Sequence, residues 1–262
     1  MGKTIELTSA DGHRLSAYEA QTGSRPDDSR AGLVVVQEIF GVNNHIRSVV
    51  DDFASAGIRA VAPALFDRAE RGLELDYTQP SIERGITLAR GGGIAQDDVV
   101  ADIAAAAAHL RSSGVTKVGV VGYCWGGYHA ALASTDQPAL FDAAVAYYGG
   151  GSPGLADGGR TPVIPLLMHF GETDHAIPVD DVRKLEHAWP EVEIHIYDGV
   201  GHGFNCSERA SYDSEAATTA RARRSSSSSS TSRAGASPSV RCDVTTPSAG
   251  SRRLRRRVRE CR

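Results

Sequence analysis

The residues best equipped for chemistry in this chain are a cysteine set between glycines, an acid and a histidine further along, and one glutamate closing an apolar run. Gly122-Tyr123-Cys124-Trp125-Gly126-Gly127 follows the apolar run Lys117 to Val121 and precedes an Ala-rich stretch of helical spacing. Glycines two residues before and after a nucleophile relieve crowding where the chain turns sharply from strand to helix, so the strained residue between them presents its side chain above the sheet. Cys124 at such a junction lies beside a helix N-terminus, whose free N–H groups and dipole favour a thiolate. The N–H of Trp125 then points at a developing oxyanion. Taken alone, the pattern describes a small buried cysteine between packing notches equally well.

The order of the other groups discriminates between these readings. After the apolar run Ile164 to Phe170 comes Gly171-Glu172-Thr173-Asp174-His175, and after Glu193 to Tyr197 comes Gly199-Val200-Gly201-His202-Gly203-Phe204. Asp174 alone could be a helix cap, and His202 alone a surface loop residue. Nucleophile, acid and histidine on three strand ends, in that order, form a triad in which Asp174 orients the imidazole and His202 shuttles the proton. Glu38 ends the run Gly32 to Gln37, among apolar neighbours. Burial raises a carboxyl pKa, which makes Glu38 a proton acceptor for a nearby thiol; the blander alternative is a strand-end pair with an arginine such as Arg47. The N–H of Ile39 is placed to be a second oxyanion donor.

Short apolar runs alternating with helical spacing are the elements that must position these groups. Thr4 to Thr8 and Arg14 to Glu19 flank the turn dipeptide Asp11-Gly12 and predict an antiparallel hairpin. Gly32 to Gln37, Arg59 to Ala62, Lys117 to Val121, Ala143 to Tyr148, Ile164 to Phe170 and Glu193 to Tyr197 are mostly apolar on both parities, as strands buried on both faces are. Helical spacing falls over Asn44 to Ala56, Ser81 to Ala89, Gln96 to Ser112, Gly127 to Ser134, Val179 to Trp189 and from near Glu208. The fold class is therefore α/β, a mostly parallel doubly wound sheet with helices on both faces. The triple glycine Gly91 to Gly93 reads as a break between helices, since no Lys-Ser/Thr follows to make a phosphate cradle.

With these residues on the page, the chain resembles the dienelactone hydrolase family (carboxymethylenebutenolidases) of the α/β-hydrolase superfamily, over roughly residues 5 to 220. The resemblance is carried by Gln37 to Asn43, Gly122 to Gly127, Tyr147-Tyr148-Gly149, Asp174-His175 with Pro178, and Gly201 to Phe204. It implies a Cys124, Asp174, His202 triad, oxyanion donation from Ile39 and Trp125, and a Glu38 that takes the thiol proton when substrate binds. It also implies a lactone or small carboxylic ester as substrate, cleaved through a thioester acyl-enzyme. The family's substrate carboxylate is held by two arginines. Arg84 corresponds to the first, while Cys206 stands at the second position, where the lost clamp removes at most a few kcal/mol and Arg209 is the nearby substitute. Phe40, Tyr147 and Phe204 are candidates to line the pocket, with core packing as the alternative.

Composition sets the limits on other functions. The 262 residues carry a net charge of −4, but residues 221–262 hold twelve Arg against Asp243 and Glu260, a local +10 that leaves −14 on residues 1–220. Residues 1–220 therefore read as the hydrolase domain, and 221–262 as an Arg/Ser-rich low-complexity tail of disordered composition, of the kind an out-of-frame GC-rich reading yields. A nucleic-acid or acidic-membrane role rests on that tail alone, and a non-catalytic scaffold is the third reading. There is no apolar run of membrane-spanning length and no basic-then-apolar leader, so a cytoplasmic protein is expected. The four cysteines lack C-x-x-C spacing and the histidines lack H-E-x-x-H spacing, so neither a metal nor another cofactor is expected.

Overall fold

A computed structural model of the protein describes residues 1–21, 31–91 and 93–230, with side chains described as far as Arg223. Among the described residues eight strands form one sheet: β1 (Lys3–Thr8), β2 (Arg14–Ala20), β3 (Ala31–Val36), β4 (Arg59–Pro63), β5 (Lys117–Tyr123), β6 (Ala143–Tyr147), β7 (Leu166–Gly171) and β8 (Glu193–Tyr197). Their spatial order is β1-β2-β4-β3-β5-β6-β7-β8. The β1–β2 and β2–β4 pairs are antiparallel, and every pair from β4–β3 to β7–β8 is parallel. The hairpin turns where Asp11-Gly12 predicts it, with Gly12 at φ +86°.

Helices α1 (Asn44–Ser55), α2 (Gln79–Arg90), α3 (Gln96–Ser112), α4 (Trp125–Asp136), α5 (Ser152–Asp157), α6 (Val179–Ala188) and α7 (Ser214–Ser230) cover the sheet. In α1, Asn43 caps the first turn by accepting from the N–H of Ile46, while Ile46, Val49, Val50 and Phe53 form the buried stripe. The Ala-rich α3 lays Val99, Ile103, Ala106, Ala107 and Leu110 on the sheet. Small side chains let it approach closely, and its one buried acid, Asp102, is held by Arg68 at 2.8 Å. Among the described residues no helix is long and apolar enough to cross a membrane.

Two short elements, α5 and a 3-10 turn at Leu65–Arg68, lie outside the predicted set. The final helix starts at Ser214, six residues past Glu208, because Ser207 to Asp213 is spent on consecutive turns and Asp213 provides the cap, its Oδ1 accepting from the N–H of Ala216. That helix runs past residue 220, the limit that composition suggests for the domain. It continues to Ser230, and Arg221 and Arg223 belong to the packed molecule: Arg221 donates to Asn205 and the Arg223 guanidinium lies 5.9 Å over the Tyr197 ring. Arginine contributes through its apolar stem and planar head, which composition alone scores as solvent-exposed charge. Residues 231–262, the greater part of the predicted tail, lie outside the described residues.

Candidate active site

The chemistry-bearing residues gather at the carboxyl ends of the parallel strands, the edge where open α/β sheets place their ligands. Cys124 joins β5 to α4 at φ +54° and ψ −115°, a backbone conformation that L-residues adopt only when their surroundings impose it. Those surroundings are backbone packed against glycine. A Cβ at Gly122 would stand 1.9 Å from the Gly126 carbonyl oxygen, and one at Gly126 would stand 2.3 Å from that of Val36 and 2.5 Å from that of Gln37. At Gly127 it would meet the Tyr147 oxygen at 2.4 Å. The three glycines let α4 start directly against β3 and β6, and the strained cysteine is the residue left at the corner. Trp125 heads the helix, so its N–H has no intrahelical acceptor.

Asp174 follows β7 and His202 follows β8. His202 Nδ1 lies 2.7 Å from Asp174 Oδ2, and the other carboxylate oxygen accepts from the N–H of Ala176 at 2.8 Å. The two loops are tied by the N–H of Thr173, which donates to the Val200 carbonyl at 2.9 Å. Burial works to lower the His202 pKa, but its interactions with Cys124 and Asp174 overcome it and push it up to about 10. Tyr148, itself at φ +38°, sets its ring edge-on to His202 with centroids 5.1 Å apart.

Glu38 is fully buried just past β3. Its partner is Arg209, at 3.3 Å from Oε1, whereas Arg47 is engaged by Glu74 at 2.6 Å. Burial works to lower the Arg209 pKa, but Glu38, with Tyr148, Cys124 and Cys206 adding to it, raises it overall. Arg209 lies over the rings of Phe40 and Tyr77, 5.7 and 5.8 Å from their centroids, and against Gly203, which at φ +81° leaves the space a side chain would take. Cys206 is buried and donates its thiol hydrogen to the Tyr77 hydroxyl at 3.2 Å. Burial and the charge of Glu38 push its pKa up to about 11. Burial lowers the pKa of His45, whose ring approaches Tyr123 at 6.0 Å.

The other candidates are placed less centrally. Arg84 is half exposed and paired with Glu70, so here it offers its charge to a surface acid. Phe40, Tyr147 and Phe204 are buried almost completely. Tyr147 stacks on Tyr123 at 4.8 Å, and Phe204 packs on Tyr148 and Tyr197 at 5.4 and 5.1 Å, which makes the last two part of the aromatic layer beneath the site. Sequence reasoning missed Tyr77, which touches both Cys206 and Arg209, and Gly85, where a Cβ would stand 2.1 Å from the Ile39 carbonyl oxygen. A lone tyrosine and a helical glycine carry no periodic signal.

A sequence model of the dienelactone hydrolase family matches residues 18–227. The chain belongs to that family. A candidate carboxymethylenebutenolidase of Synechocystis sp. is 36% identical over 203 residues, covering 72% of this chain and 81% of the relative. Carboxymethylenebutenolidase 1 of Cupriavidus pinatubonensis is 34% identical over 227 residues, covering 84% of this chain and 93% of the relative. Among solved structures, a candidate dienelactone hydrolase of Klebsiella pneumoniae superposes with a TM-score of 0.72 at 27% identity, over 86% of this chain and 98% of that one. The protein is thus a dienelactone hydrolase-like hydrolase with the α/β-hydrolase fold, and its family match runs seven residues past position 220, in keeping with the continuation of α7.

Proposed function

We propose that the protein hydrolyses a small lactone or carboxylic ester, preferably one carrying an anionic group, through a thioester on Cys124. The observation that carries this reading is the 2.7 Å contact between Asp174 and His202 beside a strained cysteine on the same sheet edge. The Cys124 thiolate attacks the acyl carbon, and the carbonyl oxygen takes the electron pair and is held by the N–H groups of Ile39 and Trp125. Collapse of the tetrahedral adduct breaks the C–O bond, and the His202 imidazolium gives its proton to the departing oxygen. The neutral imidazole then removes a proton from water, the hydroxide attacks the thioester, and Cys124 leaves as the thiolate. Asp174 keeps the ring oriented through both halves.

Glu38 and Arg209 supply the selectivity. In the free enzyme each occupies the other. A substrate carboxylate competes for the guanidinium, frees Glu38 from its partner and allows it to take the thiol proton, so that the nucleophile is generated where an anionic substrate sits. Arg209 performs here the anchoring that Cys206, an uncharged buried thiol, does not.

Steady-state assays on dienelactone and on p-nitrophenyl acetate test this reading. Cys124→Ala should lower kcat on both by at least about 10⁴-fold and abolish the acyl adduct seen by intact-protein mass spectrometry. Arg209→Met should raise KM for dienelactone while sparing the uncharged ester. Equal rates for wild type and Cys124→Ala would refute the mechanism.

Gly85 provides a check on the oxyanion site that touches no reacting group. Its backbone seats α2 on the Ile39 carbonyl. Gly85→Ala should displace Ile39 and cost roughly 10²-fold in kcat with little change in KM, the signature of a donor used in the transition state; a pure KM effect would remove Ile39 from that role.

A further inference from the structure

Beside the proposed catalytic groups lies a cluster that the hydrolysis does not use. A carboxylate oxygen of Glu38, a ring nitrogen of His45 and the Sγ of Cys206 lie within 4.8 Å of one another, and all three residues are buried. The Oε2 of Glu38 and the Nε2 of His45 have no hydrogen-bond partner. Two unpartnered, fully buried polar atoms cost free energy that a packed protein ordinarily avoids. Carboxylate, imidazole and thiolate are the donor types that Zn²⁺ takes, and a tetrahedral ion brings such donors to roughly 3 to 4 Å of one another, which from separations of no more than 4.8 Å takes only a small contraction.

We propose that Glu38, His45 and Cys206 bind a thiophilic divalent cation of the Zn²⁺ type, and that occupation switches hydrolysis off by withdrawing Glu38 from Cys124. The second half rests on the role given to Glu38 above. Binding forms bonds to Oε2, the imidazole nitrogen and Sγ; the Cys206 thiol releases its proton to solvent, and nothing is oxidised or reduced. Carboxylate and thiolate together neutralise the dication. Arg209 is the opposing charge, but it holds Oε1 and leaves Oε2 open. A cavity of about 180 Å³ lined by His45, Ser48, Asp52, Asn205 and Arg221 reaches the cluster at its histidine. Spacing along the chain gave no metal signal because positions 38, 45 and 206 are brought together by β3, α1 and the loop after β8.

Co²⁺ is the probe, because a bound thiolate gives it a near-ultraviolet charge-transfer band and a tetrahedral site gives visible bands. The full-length chain carries Cys242→Ser and Cys261→Ser, so that only Cys124 and Cys206 remain. This protein and its Cys124→Ser derivative should bind one Co²⁺ with that band, displaced by Zn²⁺. Cys206→Ser should lose the band, and His45→Gln should bind at least ten-fold more weakly, with circular dichroism showing both variants folded. Absence of the band, its survival in Cys206→Ser, or its loss in Cys124→Ser overturns the site. Zn²⁺ at saturation should then reduce dienelactone hydrolysis at least ten-fold, and His45→Gln should resist the same concentration. Binding without inhibition overturns the switch; a chain inactive on every ester overturns the catalytic reading, and the spectra still decide the site.

Discussion

Gly126→Ala should both unfold the protein more easily and silence it. The added methyl meets two carbonyl oxygens of the chain leaving β3, at 2.3 and 2.5 Å. Neither is the end of a flexible side chain, so relief requires α4 to lift away from β3 or the Cys124 corner to unwind. Overpacking that moves backbone costs about 3 kcal/mol, which for a domain of this size lowers Tm by roughly 6 to 12 °C. The same displacement carries away the Trp125 N–H and the Cys124 thiol, so the residual folded fraction is also expected to be inactive. Gly154→Ala is the control, since its Cβ would enter open space and no positive φ is involved. There the methyl restricts the unfolded chain and stability should stay level or rise by about 0.5 kcal/mol. Differential scanning calorimetry of the two variants decides; similar melting temperatures would show that the elbow is not under the packing constraint described.

Asp174→Asn should lower kcat by roughly 10⁴-fold while leaving the fold intact, because an amide can hold the imidazole in the wrong tautomer and cannot stabilise its cation. The variant also carries a pH signature. His202 is raised from 6.5 to about 10, so kcat should fall as pH rises through about 10, where the proton needed by the leaving group is lost. With the carboxylate gone, that alkaline limb should move to lower pH. A raised histidine pKa also means that protonation stabilises the fold: the contribution is complete below the unfolded value of 6.5 and is lost progressively as pH rises to about 10. Urea denaturation across that window should show wild-type stability declining more steeply than that of Asp174→Asn. Parallel curves would show that the two residues are not coupled in the manner the 2.7 Å contact indicates.

The predicted strands match the sheet closely, and the reason is chemical. Both faces of the inner parallel strands are covered, so runs such as Val34-Val35-Val36 and Leu166 to Phe170 have little polar alternation to confuse their limits. Cys124, Asp174 and His202 were picked out because each follows such a run, Cys124 and His202 with glycines around them and Asp174 on a turn that begins at Gly171. The partner of Glu38 was not. Arg209 is 171 residues away in sequence, and its approach depends on the turns of Ser207 to Asp213 and on the bare backbone of Gly203. Arg47, the nearer guess, had a surface acid available and took it. Arg84 likewise pairs with a surface acid, Glu70, and the helical extent of α7 was hidden because serine and arginine composition says little about a segment whose Arg221 and Arg223 find partners on the folded surface.

The sheet order divides the catalytic groups unequally. Cys124 rises from β5, flanked on both sides by β3 and β6, whereas His202 depends on β8, whose ladder among the described strands is with β7 alone and whose residues are all at least partly exposed. A terminal strand opens locally at lower free energy than a central one. On the proposed mechanism the nucleophile is therefore anchored on a central strand and its proton carrier beside an edge strand, so that transient fraying of β8 should disarm the enzyme before the protein as a whole comes apart.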